Sequence, residues 1–389
     1  MLNEKSAAVV KETLPVVGAA IEQITRRFYA TMFVDHPELE RDLFNQGNQA
    51  RGDQQRALAG AIVAFAALLV ADDAPPPDRV LSRIANKHAS LGVTPDQYQV
   101  VHHYLFAAIA TVLGDAVTDE VAAAWDEVYW LMADALMGRE ADLYAQAGVA
   151  AGEVWLSARV LTRTQESPDC IALTLEGVQS PLPAFLPGQY TSVAVHLPKG
   201  ARQIRQYSIS AAAPDRWRIT IKKIDAEAGS PVGQVSNFIH SDVFEGDVLS
   251  VSHPFGDITL TPEPVPVLLV SAGIGCTPMI GMLRHMVDTG DARPVWVVHA
   301  DRSRAAHPHR SELADLVDRL PEAIMRTWYG EIGMPRALTD MPLPDDVQVY
   351  LCGPLPFMQS VQARLVERGI PVESIHYEVF GPDLWLQVA

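Results

Sequence analysis

The sequence predicts a multidomain chain in three successive parts: all-α, then an antiparallel β-barrel, then an α/β part built on a parallel sheet. Three observations predict it. Before Gly152 the apolar residues recur at helical spacing and no convincing strand pattern appears. From residue 153 to about 262, short alternating runs are punctuated by proline and glycine. From 263 to 389, continuous apolar runs alternate with helical patterns. The expected parts are therefore 1–150, 153–262 and 263–389.

At 389 residues the chain has room for two or three domains, each with its own core. Composition is ordinary for a globular protein, 48% hydrophobic and 20% charged. The net charge of -17 disfavours nucleic acid and anionic membrane surfaces, since both need clustered positive charge. Three widely spaced cysteines, Cys170, Cys276 and Cys352, make neither a disulfide framework nor a thiolate metal cage. They read as a reducing compartment. The N-terminal MLNEKSAAVVKE carries charges where a signal peptide needs an apolar core, and no apolar run of about 18 residues is present. The expectation is a soluble, cytoplasmic protein with no obligate membrane attachment and no implied protein partner.

In the first part, Val10, Leu14, Val17, Ile21, Ile24 and Phe28 form a helical stripe, which Pro15 is expected to divide near its start. Leu58, Ile62, Phe65 and Leu69 form a second stripe. Ala74-Pro75-Pro76-Pro77 is a hard break. Thr94-Pro95-Asp96-Gln97 reads as a helix start with N-cap, N1 proline and capping-box glutamine. Thr118 caps a last long helix carrying Val121, Trp125, Val128, Met132 and Tyr144.

Between the break and Thr94 runs a short helix on which Val80, Ile84 and His88 stand four apart, so the imidazole lies on the apolar face. A histidine in that position is usually a hydrogen-bonded core residue. His88 is singled out by its company: Tyr29, Phe44, Gln54 and Leu58 lie on preceding segments in the right order to wall a pocket opposite it.

Ala147 to Gly152 reads as a small flexible linker. Strand runs follow at Ile171–Leu175, Thr191–Leu197, Gln203–Ser210, Trp217–Ile224 and Val248–Val251, and suggest a small antiparallel barrel. Within it, Arg205-Gln206-Tyr207-Ser208 sets a cation, an aromatic plane and a hydroxyl on one strand. An arginine fork suits a pyrophosphate and a tyrosine suits a flat ring, although an isolated stretch of this kind is most often an ordinary strand.

In the third part, Val267–Val270 is apolar throughout, as for a strand buried on both faces. Ser271-Ala272-Gly273-Ile274-Gly275-Cys276-Thr277-Pro278 follows it, read with Thr277 as N-cap and Pro278 at N1. Glycines there let the backbone approach a diphosphate that the helix N-terminus would bind. Further strand runs at Val295–His299, Ile324–Trp328 and Val347–Leu351 give a doubly wound parallel sheet. Val349-Tyr350-Leu351-Cys352-Gly353-Pro354 ends at a strand's C-terminal edge, where ligands bind in such sheets. Arg302 and Arg304 could meet a 2′-phosphate. With Asp301 as the acidic residue there, NADH and NADPH both stay open.

Taken together, Phe28-Tyr29, Pro37-Glu38-Leu39 to Phe44-Asn45, Asn48-Gln49 to Gly52-Asp53-Gln54, Lys87-His88 and Asp96-Gln97-Tyr98 resemble the globin domain of bacterial flavohaemoglobins, and the resemblance runs end to end. It implies haem b with His88 as proximal iron ligand and Phe44 packed on the porphyrin. Tyr29, Gln54 and Leu58 would form the distal pocket, Tyr29 placed to hydrogen-bond dioxygen. Glu140 matches the family's glutamate that accepts the ligand histidine's other N–H, and Tyr98 matches its tyrosine partner; such a set makes the histidine a stronger donor.

Pro187-Gly188-Gln189-Tyr190, Arg205-Gln206-Tyr207-Ser208 and Gly233-Gln234-Val235-Ser236-Asn237 together look like the FAD domain of ferredoxin-reductase-type enzymes. By that resemblance Tyr207 and Ser208 face the isoalloxazine and Arg205 meets the pyrophosphate, with Gln206 beside it. Tyr190 would support the adenine-side half, while Gln234, Val235 and Ser236 form a loop against the diphosphate. The stretch Asp225 to Pro231 departs from the family as an insert. Gly273 to Pro278 resembles the reductases' NAD(P)H loop, and Cys352-Gly353-Pro354 their segment beside the nicotinamide, with Cys352 as a substrate-positioning side chain. Glu378-Val379-Phe380-Gly381-Pro382 resembles the terminal segment whose phenylalanine covers the flavin. Val379 stands where the family often has Cys, and Cys276 where it often has Gln. Lys87 and Glu378 resemble charged residues between flavin and haem.

The family's activity is nitric oxide dioxygenation: NO and O2 become nitrate with electrons from NAD(P)H through FAD. The other classes are a haem-based O2 or NO sensor or store, and a flavin reductase with another acceptor such as an alkyl hydroperoxide. If the flavin relays electrons, the segment around Phe380 must fold back towards the middle part.

Overall fold

The computed structural model describes residues 2–71, 78–198, 200–210, 215–226, 232–330, 338, 341–382 and 384–385. The proline break at Ala74–Pro77 lies outside them, as does most of the insert, from residue 227 to Pro231.

The first part is helical throughout: α1 (Glu4–Asp35), α2 (Pro37–Asp42), α3 (Gln46–Arg51), α4 (Asp53–Val70), α5 (Asp78–Leu91), α6 (Pro95–Leu113) and α7 (Asp119–Ala147). Pro15 does not divide the first stripe; α1 is one 32-residue helix with the proline inside it. Proline removes one N–H from the ladder. Burial of Val10 and Val17 on either side holds both halves against the same core. Thr118 accepts from Val121 N–H at 3.3 Å, and Thr94 N–H donates to Gln97 Oε1 at 3.1 Å, as expected of the two caps. Helix α4 is long and apolar enough, by length and composition, to cross a membrane, yet Phe65 and Ala66 are buried in the core shared with α1.

The link after α7 is not a loose tether. Gly148 closes the helix in the left-handed conformation, and the chain then packs back on the α5–α6 turn. A Cβ on Gly92 would stand 3.0 Å from the Gly152 carbonyl oxygen.

The second part is a six-stranded antiparallel sheet, ordered β4-β3-β6-β1-β2-β5, from β1 (Trp155–Ser167), β2 (Cys170–Gly177), β3 (Tyr190–His196), β4 (Arg202–Ser208), β5 (Arg216–Lys222) and β6 (Val248–Ser252). Its ends curl towards each other where Ser210 N–H donates to the Arg218 carbonyl at 2.8 Å, so the expected barrel forms. Strand β1 was not among the expected runs. Register shifts at Val160/Thr162 and Gln165/Ser167 break its alternation.

The third part is a five-stranded parallel sheet, ordered β11-β10-β7-β8-β9, from β7 (Val267–Ala272), β8 (Val295–Asp301), β9 (Ala323–Tyr329), β10 (Gln348–Cys352) and β11 (Ile375–Glu378). Helices α9 (Cys276–Thr289), α10 (Arg310–Asp318) and α11 (Leu355–Glu367) cover it. All six residues of β7 are buried, as its apolar run requires at the centre of such a sheet. Helix α8 (Gln234–Asp242) lies between β5 and β6.

Candidate functional site

His88 sits in the last turn of α5 with its side chain 33% exposed. Its Nδ1 lies 2.8 Å from Glu140 Oε1 of α7, and 3.0 Å from the Tyr98 hydroxyl of α6. Tyr98 donates to the same carboxylate oxygen at 2.5 Å. Burial first, and then the Glu140 charge, push the Tyr98 phenol far above its ordinary pKa, so it stays a donor. A carboxylate that only accepts places the imidazole proton on Nδ1 and leaves the Nε2 lone pair for a metal. Three helices thus converge on one imidazole nitrogen.

Phe44, Tyr29 and Phe33 form an aromatic wall, with ring centroids 5.6 Å apart for Tyr29–Phe44 and 5.3 Å for Phe33–Phe44. Tyr29, Phe44 and Leu58 belong to one apolar cluster with Ile84 and Ala85, a turn before His88. Tyr29 is buried and its phenol is raised well above its ordinary pKa by that burial, which the Gln54 amide opposes. The wall is apolar apart from one phenol and one amide, the make-up a porphyrin face requires. The side chain of Val80 lies outside the described residues.

On β4, Arg205 donates to Gln203 Oε1, to the Ile204 carbonyl and, at 2.8 Å, to Asn45 Oδ1 of the α2–α3 turn. Every one of these acceptors is neutral. Burial lowers the guanidinium to about 10, so among the described residues it is a desolvated cation whose hydrogen bonds go to no carboxylate. A diphosphate answers that deficit. Tyr207 is half-buried, and Ser208 is buried.

The expected diphosphate loop is the first turn of α8. Val235 is buried in the barrel core, and the Ser236 hydroxyl closes the loop by donating to the Gly233 carbonyl and accepting from Ile224 N–H. What remains for a phosphate is the backbone amides of Gln234 to Ser236, uncapped by any side chain. The β3–β4 register pairs Tyr190 with Ser208, at the other end of the four-residue stretch from Arg205. It is buried against Ala89, Tyr144 and Phe255, at the meeting of helical part and barrel.

That meeting is polar where it matters. Gln206 Nε2 donates to Ser192 Oγ, Ser192 Oγ to Ser90 Oγ, each at 2.9 Å, and Ser90 Oγ to the Lys87 carbonyl at 2.8 Å. Gly256 N–H donates to Asn86 Oδ1 at 2.8 Å, and Gln203 Nε2 donates to the Phe44 carbonyl at 3.1 Å. The C-terminal segment also closes here. Lys87 Nζ donates to the Gly381 carbonyl at 3.0 Å, and Arg83 donates to the Tyr377 carbonyl while its guanidinium lies 4.1 Å over the Tyr377 ring. The segment around Phe380 therefore folds back onto α5 of the helical part. Phe380 itself is 49% exposed, and Val379 and Pro382 are half-buried. Glu378, buried, stands beside Cys352 in the β10–β11 register and acts electrostatically on Tyr190.

At the parallel sheet, Gly273, Ile274 and Gly275 form a single 3-10 turn that runs straight into α9, whose N-cap is Gly275. The helix therefore starts two residues earlier than expected. Thr277 and Pro278 lie inside it, and the Thr277 hydroxyl donates to the Ile274 carbonyl at 3.0 Å. The tight turn needs glycine: a Cβ on Gly275 would stand 2.3 Å from the Cys352 carbonyl oxygen. This locks the β7–α9 turn against Cys352-Gly353, and Pro354 caps α11. Cys352 and Cys276 are fully buried, and burial pushes both thiols up. Cys352 is thus packed in the sheet core and presents only its backbone.

One cluster between barrel and parallel sheet had no sequence forerunner. His309, in the left-handed conformation (φ 55°), places Nε2 2.7 Å from Thr220 Oγ1 and Nδ1 3.2 and 3.3 Å from Glu166 and Glu312. Arg218 and Arg284 also pair with Glu312, and Arg302 pairs with Asp169 at 2.8 Å.

A globin family model matches residues 26–136, and one for the oxidoreductase NAD-binding domain matches residues 269–363. A flavohemoprotein of Bordetella pertussis is 41% identical over 98% of this chain and 99% of its own; one of Rhizobium meliloti is 39% identical over the whole of both. Among solved structures, a Malassezia yamatoensis flavohemoglobin with bound FAD and heme matches with a TM-score of 0.90 at 36% identity, covering 98% of this chain and all of that one. The FAD/NAD-binding domain of a Vibrio cholerae nitric oxide dioxygenase matches 59% of this chain and all of its own, with a TM-score of 0.54 at 31% identity. Helical, antiparallel and parallel parts occur in the order these relatives require, over their full length, and the chain belongs to the flavohemoprotein family.

Proposed function

We propose that this chain is an NAD(P)H-dependent nitric oxide dioxygenase. It is divided into a haem domain (1–150), an FAD domain (153–262) and an NAD(P)H domain (263–389), and works in the cytoplasm. The observation that carries the reading is the buried Glu140 carboxylate, which accepts from both His88 Nδ1 and Tyr98. A store needs only a neutral histidine, whereas a carboxylate-backed one is the stronger donor that oxygen chemistry requires.

When bound, the haem iron supplies the oxygen-activating centre and FAD converts a hydride into single electrons. Each nitrate formed from NO and O2 takes up one electron, so one hydride serves two nitrates and leaves NAD(P)+ and a proton. His88 Nε2 would hold the haem iron. Tyr29, kept protonated by burial, would supply a hydrogen-bond donor to an iron-bound ligand, with Gln54 beside it and Phe44 and Leu58 excluding water. Arg205 and the first-turn amides of α8 hold the flavin's diphosphate, while Gln206, Tyr207, Ser208 and Tyr190 shape the ring end. The Gly273–Gly275 turn, with Cys276, Thr277 and Pro278 behind it, receives the nicotinamide nucleotide beside Gly353 and Pro354. Lys87 and Glu378, both at the junction, tune the passage between flavin and haem.

The test is NO consumption and nitrate formation in air by holoprotein supplied with NAD(P)H, beside His88→Ala. Anaerobic mixing with NAD(P)H is the second arm. Haem that stays ferric while flavin is reduced would make the chain a sensor or store. NO consumption unchanged in His88→Ala would assign another acceptor.

A further inference from the structure

At the C-terminal end of β8, where the adenosine ribose lies in doubly wound sheets, an acidic residue ordinarily binds the 2′-hydroxyl of NADH. Here that residue, Asp301, is turned inward and 4% exposed. Its Oδ1 accepts Arg302 N–H at 2.7 Å, and its Oδ2 faces buried His299, with Nε2 3.7 Å away. The carboxylate has no route to a ribose. Arg302 is committed too, through its ion pair with Asp169 of the barrel.

Beside this edge a cleft of about 560 Å³ opens between the β8–α10 loop, the start of α10 and the outer strand β9. Arg304, Arg310, Ser311 and Tyr329 are among the residues that line it. Tyr329 is steadied by His307, whose Nδ1 lies 3.2 Å from its hydroxyl. No side chain caps α10: its N-cap, His309, is spent on Thr220, Glu166 and Glu312. Glu312, the acid of that first turn, is drawn away to Arg218 and Arg284. The cleft is thus lined by two cations, a hydroxyl and an aromatic ring beside the N-terminus of α10, which no side chain caps. Asp315 and Asp318 line the groove further down α10 and repel an anion from that end.

We infer that this cleft is the 2′-phosphate site of an NADPH-preferring enzyme, with Arg304 and Arg310 holding the phosphate and Tyr329 stacking on the adenine. The inference rests on the nicotinamide-nucleotide reading of the parallel sheet, and it is independent of the haem. An arginine fork meets a phosphate bidentately and discriminates strongly against its absence.

The experiment titrates holoprotein with adenosine 2′,5′-bisphosphate and with 5′-AMP by calorimetry. The bisphosphate is expected to bind at least about tenfold tighter. In Arg304→Gln/Arg310→Gln that ratio falls to near one, and KM for NADPH rises about tenfold or more while kcat and KM for NADH stay put. Retained NADH turnover doubles as the folding control, and Arg304→Gln alone is read if the double variant loses it. Equal binding of the two probes by wild type, or a ratio untouched by the substitutions, overturns the inference. Flavin reduction by either nucleotide is followed in parallel. If neither reduces it, the underlying reading of the sheet is what fails.

Discussion

Ser192 Oγ of the barrel donates to Ser90 Oγ of the His88 helix across 2.9 Å, with both residues wholly buried. The pair is the middle of a directed chain from the Gln206 amide to the Lys87 carbonyl, one peptide bond from His88. A buried hydrogen-bond chain fixes register because breaking it strands donors away from water. Ser192→Ala leaves the Gln206 amide without this acceptor and should cost about 1–3 kcal/mol. Rapid mixing should show flavin reduction by NAD(P)H at the wild-type rate and haem reduction slowed. Equal slowing of both steps would mean the pair holds the fold generally and not the flavin–haem approach.

Glu140→Gln keeps the size of the side chain and removes its charge. The imidazole then loses an anionic acceptor, and NO dioxygenation should fall about 10–100-fold, the usual loss when the partner of a ligand histidine is changed. The iron–histidine stretching frequency in resonance Raman spectra should drop with it. An unshifted frequency would show that Glu140 does not polarise His88.

The His309 cluster makes the contact between barrel and parallel sheet depend on pH. Burial alone would lower the His309 pKa, but hydrogen bonds to Glu166 and Glu312 outweigh it and raise the value. A raised histidine stabilises fully below the ordinary value of about 6.5 and loses that contribution as pH climbs through the raised one. Burial would raise Glu312, yet His309 and Arg218 hold it well below the carboxylate range, so its contribution is lost only in strong acid. Melting temperature should thus decline as pH rises above about 6.5, and His309→Gln should flatten that decline. A variant that declines as steeply as wild type would assign the effect elsewhere.

Gly275→Ala drives a Cβ into the Cys352 carbonyl, which is backbone and cannot swing aside. The β7–α9 turn must shift, and displacement of a binding loop by about 1 Å can cost on the order of 100-fold. Flavin reduction by NAD(P)H should fall by that order while the haem spectrum stays as in wild type. Retention of full reduction would show that the two loops do not need this approach.

Local signals were legible wherever local physics decides. The capped, proline-led start of α6 at Thr94, the apolar run of β7 and the helical spacing that turns His88 inward all follow from neighbours a few residues away. Glu140 and Tyr98 were found through resemblance, and the structure brings both onto His88. Packing overruled local signals at Pro15, where burial on both sides carried the helix through. It did so again at Gln234–Ser236, where a glycine-led loop sequence folds into α8 because Val235 has a place in the core. The Thr220–His309 and Arg218–Glu312 contacts join residues 89 and 94 apart in sequence, and no spacing or composition announces such a pair.

The ties of Lys87 to Gly381 and of Arg83 to Tyr377 join positions 294 residues apart. On the ribosome the first member of each pair emerges long before the second. The helical part can therefore collapse and take up its prosthetic group while most of the chain is still unmade. The bridge to the reductase is sealed only when the final strand docks on α5. In that order α5 closes on the 377–381 segment only after the barrel and the parallel sheet have been made.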